Sequence, residues 1–431
     1  MADGYVRTRI KRLKVSGYRS LYSVELSDLP DIVVFHGKNG TGKSNLMAVP
    51  GMVLRWVGAV GFPSPEEPSS YTHQQAAQSL GLRSSDFICG REPTLRIELE
   101  LELGTVASRP INRVIDPLGC FHVSIVAQDF DDRIRVWCED ATLDGVSLAV
   151  TPSALRLRLQ ETLEAQTLLL HYPAYRIGHE SSKQVEGSLS NTFQSRMFAV
   201  HIDTDIGRHR QLSRLGHLLG TTGAFPGADH VEFAPGLDQQ LDEHRLLVAV
   251  PGVGDIPLEN LGTGQQQLIM MTADALLEQR PIIQFEEPEA HLHKELMETF
   301  ARFLRMEAEL AGPESPIDQV WLSTHHHAFA IAPEYFEVTH DPEHGTMVER
   351  RDRAFATRHF YEPGPLWEAL RSLANSTSHE TVVMHDSDGQ PITAGEILDS
   401  MTGDRQRANE FAVAATRTIV SRFRKRPVEA S

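Results

Sequence analysis

Apolar and polar residues alternate along several segments in the first third of the chain, and this period of two is typical of strands with one solvent-facing side. The clearest segments are 94–103 (TLRIELELEL), 121–128 (FHVSIVAQ) and 133–138 (RIRVWC), which predict an antiparallel sheet. Shorter apolar runs at 32–35 and 282–285 lack the alternation, so they predict strands that are buried on both faces.

The remaining patterns mix helices, strands and loops. Residues 8–27 predict two short strands around Gly17, and residues 261–330 predict helix, buried strand, helix and buried strand in that order. A polar, proline-rich stretch at 61–93 predicts a loop or a loosely packed insertion, residues 336–350 predict a hairpin, and residues 408–423 predict a helix. The chain is therefore expected to be an α/β protein.

Composition places the chain among soluble globular proteins, with 41% hydrophobic and 23% charged residues in a length of 431. No apolar run is long enough to span a bilayer, and the polar, basic start lacks the apolar segment of a secretory signal. The three cysteines are widely spaced and predict reduced thiols. These features predict a cytoplasmic protein without a membrane partner.

The net charge of −17 argues against a protein that coats nucleic acid indiscriminately. Nucleic acid stays open as a partner, because a local basic face can act within an acidic protein. Two basic clusters are candidates, and a solvated surface is the favoured interpretation of both. The clusters are Arg7, Arg9, Lys11, Arg12 and Lys14, and Arg422, Arg424, Lys425 and Arg426.

Residues 37–44 (GKNGTGKS) fit the phosphate-binding pattern G-x-x-x-x-G-K-[ST] and follow a predicted buried strand. Such a loop turns backbone amides towards phosphate, and the following helix, beginning near Lys43, adds its positive end. Lys43 is expected to bridge the β- and γ-phosphates, and the Ser44 hydroxyl to bind Mg²⁺. Pro50 predicts that this helix ends or kinks early. The predicted nucleotide contacts are Gly37, Asn39, Gly40, Gly42, Lys43 and Ser44.

The apolar run 282–285 ends in two carboxylates, Glu286 and Glu287. At the end of a central parallel strand, Glu286 is expected to hold Mg²⁺ through water, and Glu287 to orient or deprotonate the attacking water. A second apolar strand ends at His325. A metal site at His325, His326 and His327 is rejected, because adjacent residues on a strand point apart.

A second predicted anion-binding turn lies before the apolar helical run 268–277, because small residues and a hydroxyl precede a helix start. The residues concerned are Gly262, Thr263, Gly264 and Gln265. The turn by itself is a weak signal. It gains value because it stands shortly before the acidic pair.

These elements, in this order, resemble the head of ABC-type ATPases, and more specifically the RecF/SMC-related and OLD-like ATPases of bacterial DNA-repair and phage-defence operons. The matching segments are RLKVSGYRSL at 12–21, GKNGTGKSNL as Walker A, LGTGQQQ as the signature loop, FEEPEAHLH as Walker B, and LSTHHHAF with the switch histidine. The family usually has aspartate at the position of Glu286 and serine at that of His326.

The resemblance implies a P-loop NTPase with an ABC-type head, an antiparallel side sheet, an inserted helical lobe and a small helical tail. The corresponding ranges are 1–150 and 244–350 for the head, 151–243 for the lobe and 351–431 for the tail. It also implies an isologous dimer, or a larger oligomer, in which Gly262, Thr263 and Gly264 of one subunit contact the γ-phosphate held by Lys43 of the other.

The function implied by the resemblance is an ATPase that acts as a sensor, clamp or scaffold in phage defence or DNA repair, with a separate effector protein. An alternative is an OLD-like nuclease with a metal site at Asp386 and Asp388, where two carboxylates follow a predicted strand. A turn before a helix is the favoured interpretation of those two aspartates. A transporter-type ATPase is disfavoured, because the opening segment and EEPEAHLH resemble the soluble group.

Overall fold

A computed structural model of the protein describes residues 6–88, 93–104, 106–108, 113–115, 117–163, 168–172, 197, 206–221, 224–225, 228–238, 243–278, 280–310, 315–352, 382–385 and 391–393. The chain divides into two compact units, 1–350 and 351–431. The helices are α1 (Lys43–Val60), α2 (His73–Ser79), α3 (Ser153–Leu163), α4 (Ile206–Thr221), α5 (Thr263–Leu277) and α6 (Lys294–Leu310).

Strands form most of the first unit. They are β1 (Arg9–Tyr18), β2 (Leu21–Leu26), β3 (Ile32–His36), β4 (Ser69–Thr72), β5 (Thr94–Leu103), β6 (Val106–Ser108), β7 (Arg113–Ile115), β8 (Gly119–Phe130), β9 (Arg133–Leu143), β10 (Val146–Ser147), β11 (Leu169–Tyr172), β12 (Glu232–Asp238), β13 (Glu243–Val250), β14 (Gly254–Pro257), β15 (Ile282–Glu286), β16 (Gln319–Thr324), β17 (Glu334–Asp341) and β18 (Gly345–Asp352). The second unit contributes β19 (Val382–His385) and β20 (Pro391–Thr393).

The central sheet has the order β11-β15-β16-β3-β17-β18. From β11 to β17 the neighbouring strands run parallel. Strands β15 and β16 are buried along their whole length, as their continuous apolar runs predict. Because β16 lies between β3 and β15, the carboxyl ends of all three strands meet at one edge of the sheet.

The predicted antiparallel sheet is confirmed. It has the order β10-β9-β8-β5-β1-β2, with β4 paired to β9. Buried and partly exposed positions alternate along β5, which matches its sequence pattern. The stretch at 61–93 is more ordered than predicted, because it includes both β4 and α2.

Helix α1 corrects part of one prediction, because it continues through Pro50 to Val60 and therefore does not end early at the proline. Proline lacks the N–H that would bond to the carbonyl one turn earlier, which normally disfavours this position. Here Pro50 is buried together with Met47, Val53 and Trp56. Burial of apolar side chains on several faces of α1 offsets the missing hydrogen bond.

The basic cluster near the start of the chain is balanced by neighbouring carboxylates. Most of its side chains form ion pairs across the antiparallel sheet or with the β2–β3 connection, which leaves the interpretation as a solvated surface in place. The pairs are Arg7–Asp31, Arg9–Glu102, Arg12–Glu25 and Lys14–Glu98. The second cluster, at 422–426, lies outside the described residues.

The predicted helical lobe at 151–243 contains strands as well as helices. Strand β11 joins the central sheet beside β15, and β12 pairs with β13 in a separate three-stranded sheet. Helix α4 is joined to α6 by the ion pair between Arg214 and Glu307, 2.5 Å apart. In the predicted helical tail, β19 and β20 form an antiparallel pair. Asp386, Asp388 and the predicted helix at 408–423 lie outside the described residues.

Candidate functional site

The structure brings three sequence-predicted segments together at the carboxyl edge of the central sheet. In register, Glu286 at the end of β15 is opposite Ser323 of β16, and Ser323 is opposite Phe35 of β3. The glycine-rich loop, the acidic pair and His325 therefore follow neighbouring strands at the same edge of the central sheet. In α/β sheets this edge, outside the carboxyl ends of the strands, is where ligands bind.

The glycine-rich loop adopts a conformation that its glycines make feasible. Gly40 and Gly42 have φ values of 82° and 103°, in the left-handed region. A Cβ atom on Gly37 would collide with the Val338 carbonyl oxygen, and one on Gly42 with the Thr346 hydroxyl. Asn39 and Gly40 are exposed at the tip of the loop, and Ser44 is exposed in the first turn of α1.

Lys43 is enclosed by the loop, and its ammonium group donates hydrogen bonds to the carbonyl oxygens of Gly37 at 2.7 Å and Lys38 at 3.0 Å. Burial lowers the pKa of Lys43, while the carboxylates of Glu287, Glu289 and Glu286 act in the opposite direction. The side chain thus lies between the phosphate-type loop and three carboxylates.

Glu287 has an unusual backbone conformation, with φ 44° and ψ 54°. A non-glycine residue in the left-handed region is strained, and such strain clusters at functional sites. The conformation is held by the Glu287 N–H, which donates to the Ser323 carbonyl oxygen at 2.8 Å, and by Pro288, which begins a short 3₁₀ turn. The strand therefore ends abruptly at the residue predicted to act on water.

Glu286 is almost fully buried, and one of its oxygens lies 2.8 Å from Nε2 of His171. His171 is on β11, the strand next to β15. Its neighbour Tyr172 donates a hydrogen bond to the Asp274 carboxyl group of α5, and the Tyr172 ring stacks on Phe285 at a centroid distance of 5.1 Å. The end of β11 therefore contacts both the acid-bearing strand and α5.

His325 follows β16, and its Nδ1 atom lies 3.1 Å from Oε1 of Glu289. The same oxygen accepts hydrogen bonds from the Thr324 hydroxyl at 2.7 Å and from the His325 N–H at 2.9 Å. His326 turns back on its own chain, where Nδ1 accepts the Ala328 N–H at 3.1 Å. Among the described residues, no group of three or more His, Cys, Asp or Glu side chains is arranged to hold a metal ion.

The predicted signature residues lie at the start of α5, where Gly262 and Thr263 are exposed and Gly264 is buried. The Gln265 side chain closes this end of the helix. Its Oε1 accepts the Gly262 N–H at 3.2 Å, and its Nε2 donates to the Ala224 carbonyl oxygen at 2.8 Å. Gln265 thus shapes the turn, while Gly262 and Thr263 form its exposed surface.

Sequence reasoning missed His171 and Glu289. For His171 a signal was present, because an apolar run at 168–170 ends in a polar residue, as the predicted strands at 282 and 320 do. Its partner was not predictable, because the position of β11 beside β15 depends on the folding of a distant segment. For Glu289, only the 3₁₀ turn after Pro288 brings its carboxylate to the end of β16.

The donor set fits magnesium, because the Ser44 hydroxyl and the Glu286 carboxylate are hard oxygen ligands of the kind that Mg²⁺ prefers. The loop also fits an anion, since its lysine is directed inward against the carbonyl oxygens of Gly37 and Lys38. The arrangement as a whole suits phosphoryl transfer to water.

No family model matches the chain, and no curated protein matches it in sequence. Solved structures that are similar include the SMC head domain from Thermotoga maritima, with 15% identity, 80% of this chain and 99% of that chain covered, and a TM-score of 0.45. The SmcHead bound to the C-winged helix domain of ScpA is 16% identical, with 80% of this chain and 99% of that chain covered and a TM-score of 0.47. A third similar structure is the Smc head domain with an extended coiled coil, bound to the C-terminal domain of ScpA derived from Pyrococcus furiosus. It is 13% identical, with 81% of this chain and 98% of that chain covered and a TM-score of 0.47.

Proposed function

We propose that the protein binds ATP with Mg²⁺ and hydrolyses it to ADP and phosphate. The observation that carries the proposal is the meeting of the glycine-rich loop, Glu287 and His325 at one edge of the parallel sheet. A phosphate chain in the loop would take the place of the Gly37 and Lys38 carbonyl oxygens as the partner of Lys43.

The residues divide the chemistry among them. Ser44 and Glu286 would hold Mg²⁺, which when bound neutralises charge on the phosphates. Glu287 accepts a proton from the attacking water, and its fixed backbone places the carboxylate before the nucleotide arrives. His325 contacts the same water or the γ-phosphate from the end of the adjacent strand. Lys43 stabilises the charge that develops on the γ-phosphate.

The proposal includes a head-to-head homodimer with two composite sites. The exposed Gly262 and Thr263 at the N-terminus of α5 support this arrangement, because a helix N-terminus suits a phosphate brought by a partner subunit. The resemblance to ABC-type heads predicts the same contact. In such a dimer, ATP lies at the interface and stabilises it.

The biological role proposed is that of a sensor, clamp or scaffold in phage defence or DNA repair, acting with a separate effector. It is supported by the resemblance of the motifs to the RecF/OLD-like group. The alternative of a nuclease with a metal site at Asp386 and Asp388 has one structural observation in its favour, because β19 ends immediately before Asp386. Metal-dependent cleavage of DNA that is lost in Asp386→Ala would favour that alternative.

The test of the ATPase proposal is the Glu287→Gln variant, measured by ATP hydrolysis and by light scattering with and without ATP. We expect hydrolysis to fall about 100-fold or more, because the amide cannot accept the proton. The variant should then accumulate as an ATP-bound dimer. Glu298→Gln, on the exposed face of α6, is the matched control and should behave as wild type.

Two results would contradict the proposal. Hydrolysis by Glu287→Gln at the wild-type rate would remove Glu287 from the role of base. A wild-type protein that binds no nucleotide would overturn the proposal altogether.

A further inference from the structure

Glu289 is a site carboxylate that the roles above leave unassigned. It lies two residues beyond Glu287 in the 3₁₀ turn Pro288–His291, which folds back onto the end of β16. Its side chain is only 5% exposed. Burial of a carboxylate is costly unless hydrogen bonds or charges compensate for lost water, so its contacts need an explanation.

The contacts of Glu289 converge on His325. Its Oε1 accepts hydrogen bonds from the Thr324 hydroxyl at 2.7 Å and from the His325 N–H at 2.9 Å, and Nδ1 of the His325 ring lies 3.1 Å from the same oxygen. Backbone and ring of the same histidine are therefore tied to one oxygen atom. This fixes both where β16 ends and how the imidazole is turned.

The charge of this oxygen favours one tautomer. An ionised carboxylate oxygen presents only lone pairs, so at 3.1 Å a proton on Nδ1 is attracted to it and a lone pair on Nδ1 is repelled. In a neutral ring, Nε2 then keeps its lone pair and points away from Glu289 on the opposite side of the imidazole. The group that faces one ring nitrogen thus decides what the other can do.

The second oxygen, Oε2, is buried and has no hydrogen-bond partner among the described residues. A carboxylate that only stabilised the turn would be expected to satisfy both oxygens. Glu289 also lies close enough to the phosphate loop for its charge to favour the charged form of Lys43. Its position is thus better explained by the site than by the fold.

We propose that Glu289 is a positioning residue that holds His325 with its proton on Nδ1, so that Nε2 accepts a hydrogen bond from the water that attacks ATP. The water then has two acceptors, and its proton passes to Glu287 while His325 keeps the oxygen in line. The role of Nε2 in ATP hydrolysis rests on the proposed ATPase function, whereas the position of the proton on His325 does not depend on it.

The first test is NMR of the ring nitrogens in ¹⁵N-histidine-labelled protein, without nucleotide. The His325 signals are assigned by their loss in His325→Gln. We expect the proton on Nδ1 in wild type, and in Glu289→Ala a shift towards the Nε2-protonated form. A wild-type His325 that is protonated on Nε2 alone would overturn the inference, and this measurement needs no variant of Glu289 to fold.

The second test is a double-mutant cycle on ATP hydrolysis. We expect Glu289→Ala to lower kcat about 10- to 100-fold with little change in KM, as loss of a group that orients a catalytic ligand does. Because Glu289 acts through His325, the double variant with His325→Ala should be no slower than His325→Ala alone. Multiplicative losses would show that Glu289 acts independently, contrary to the inference.

Two further variants sharpen the result. Glu289→Gln keeps an oxygen that can accept from Nδ1, so it should retain the Nδ1 proton and most of kcat; a defect equal to that of Glu289→Ala would count against positioning. Glu298→Ala is the surface control. If wild type hydrolyses no ATP but the tautomer is as expected, the proposed function fails while the positioning of His325 stands.

Discussion

The side chain of Gln319 forms four hydrogen bonds in the core and joins the two large sheets. Its Oε1 accepts the Ile10 N–H and the Trp321 ring N–H, at 2.9 and 3.0 Å. Its Nε2 donates to the carbonyl oxygens of Ile10 and Pro30, each at 3.0 Å. Pairing of β1 with β2 begins only at Leu13, so Gln319 supplies the partner that Ile10 lacks on that side.

Gln319→Leu should therefore lower the midpoint of urea unfolding of the first unit. The leucine fits by volume but leaves the Ile10 N–H and C=O buried without partners, which should reduce the free energy of unfolding by about 3 kcal/mol. Fluorescence of the buried tryptophans gives the measurement. Gln78→Leu, at an exposed position of α2, is the control, and an equal midpoint for both variants would contradict this role of Gln319.

At the scale of elements, β11 links the acid-bearing strand to helix α5 through Tyr172 and Asp274. Burial raises the pKa of Asp274 to about 8, and the nearby Glu278 acts in the same direction. A carboxyl group whose folded pKa lies above its unfolded value stabilises the fold fully only below the unfolded pKa. That contribution is lost as pH rises towards the folded pKa.

Asp274→Asn should remove this pH dependence, because the amide keeps an acceptor for the Tyr172 hydroxyl and does not ionise. The free energy of unfolding of the variant, relative to that of wild type, should rise between about pH 4 and pH 8 by up to about 1.4 kcal/mol for each pH unit. Above pH 8 the difference should stay constant. Thermal unfolding at a series of pH values checks the slope. A constant difference across this window would show that Asp274 is not buried as a neutral acid.

The same elements show what the sequence could and could not predict. The loop at 37–44, the acidic pair and the strand before His325 were predictable, because each is a local pattern of apolar run and polar end. Pro50 does not end α1 early as predicted, since local propensity gives way to the burial of that helix. The partners His171 and Glu289 were not predictable, because the lateral order of strands and a 3₁₀ turn bring them to the site.

On the scale of the whole molecule, the proposed site is incomplete in one subunit. The glycine-rich loop presents Lys43 and Ser44, whereas the exposed turn at Gly262 and Thr263 is expected to serve the nucleotide of a partner copy. No helix among the described residues is long and apolar enough to cross a membrane. The proposed interface is tested with the full chain.

Mixing two inactive variants tests the composite site directly. Lys43→Ala removes the phosphate-binding ammonium, and Thr263→Glu places a carboxylate where the partner's γ-phosphate is expected, with a charge that the N-terminus of α5 tolerates. Each variant alone should hydrolyse almost no ATP. In a mixed dimer, one site has both defects, while the other combines an intact loop with an intact turn.

An equal mixture should therefore regain about a quarter of the wild-type sites, because half of randomly formed dimers are mixed and each of these holds one complete site. Hydrolysis, or retention of labelled ATP if hydrolysis requires both sites, gives the measurement. Lys43→Ala mixed with Ser44→Ala is the control, because both defects lie in the phosphate loop of the subunit that carries them. One site of that dimer lacks Lys43, and the other lacks the Ser44 hydroxyl that is expected to bind Mg²⁺. Activity in the first mixture alone supports sites shared between subunits, and inactivity in both would mean that Thr263 serves the nucleotide of its own chain. Hydrolysis by Thr263→Glu on its own would mean that Thr263 serves neither.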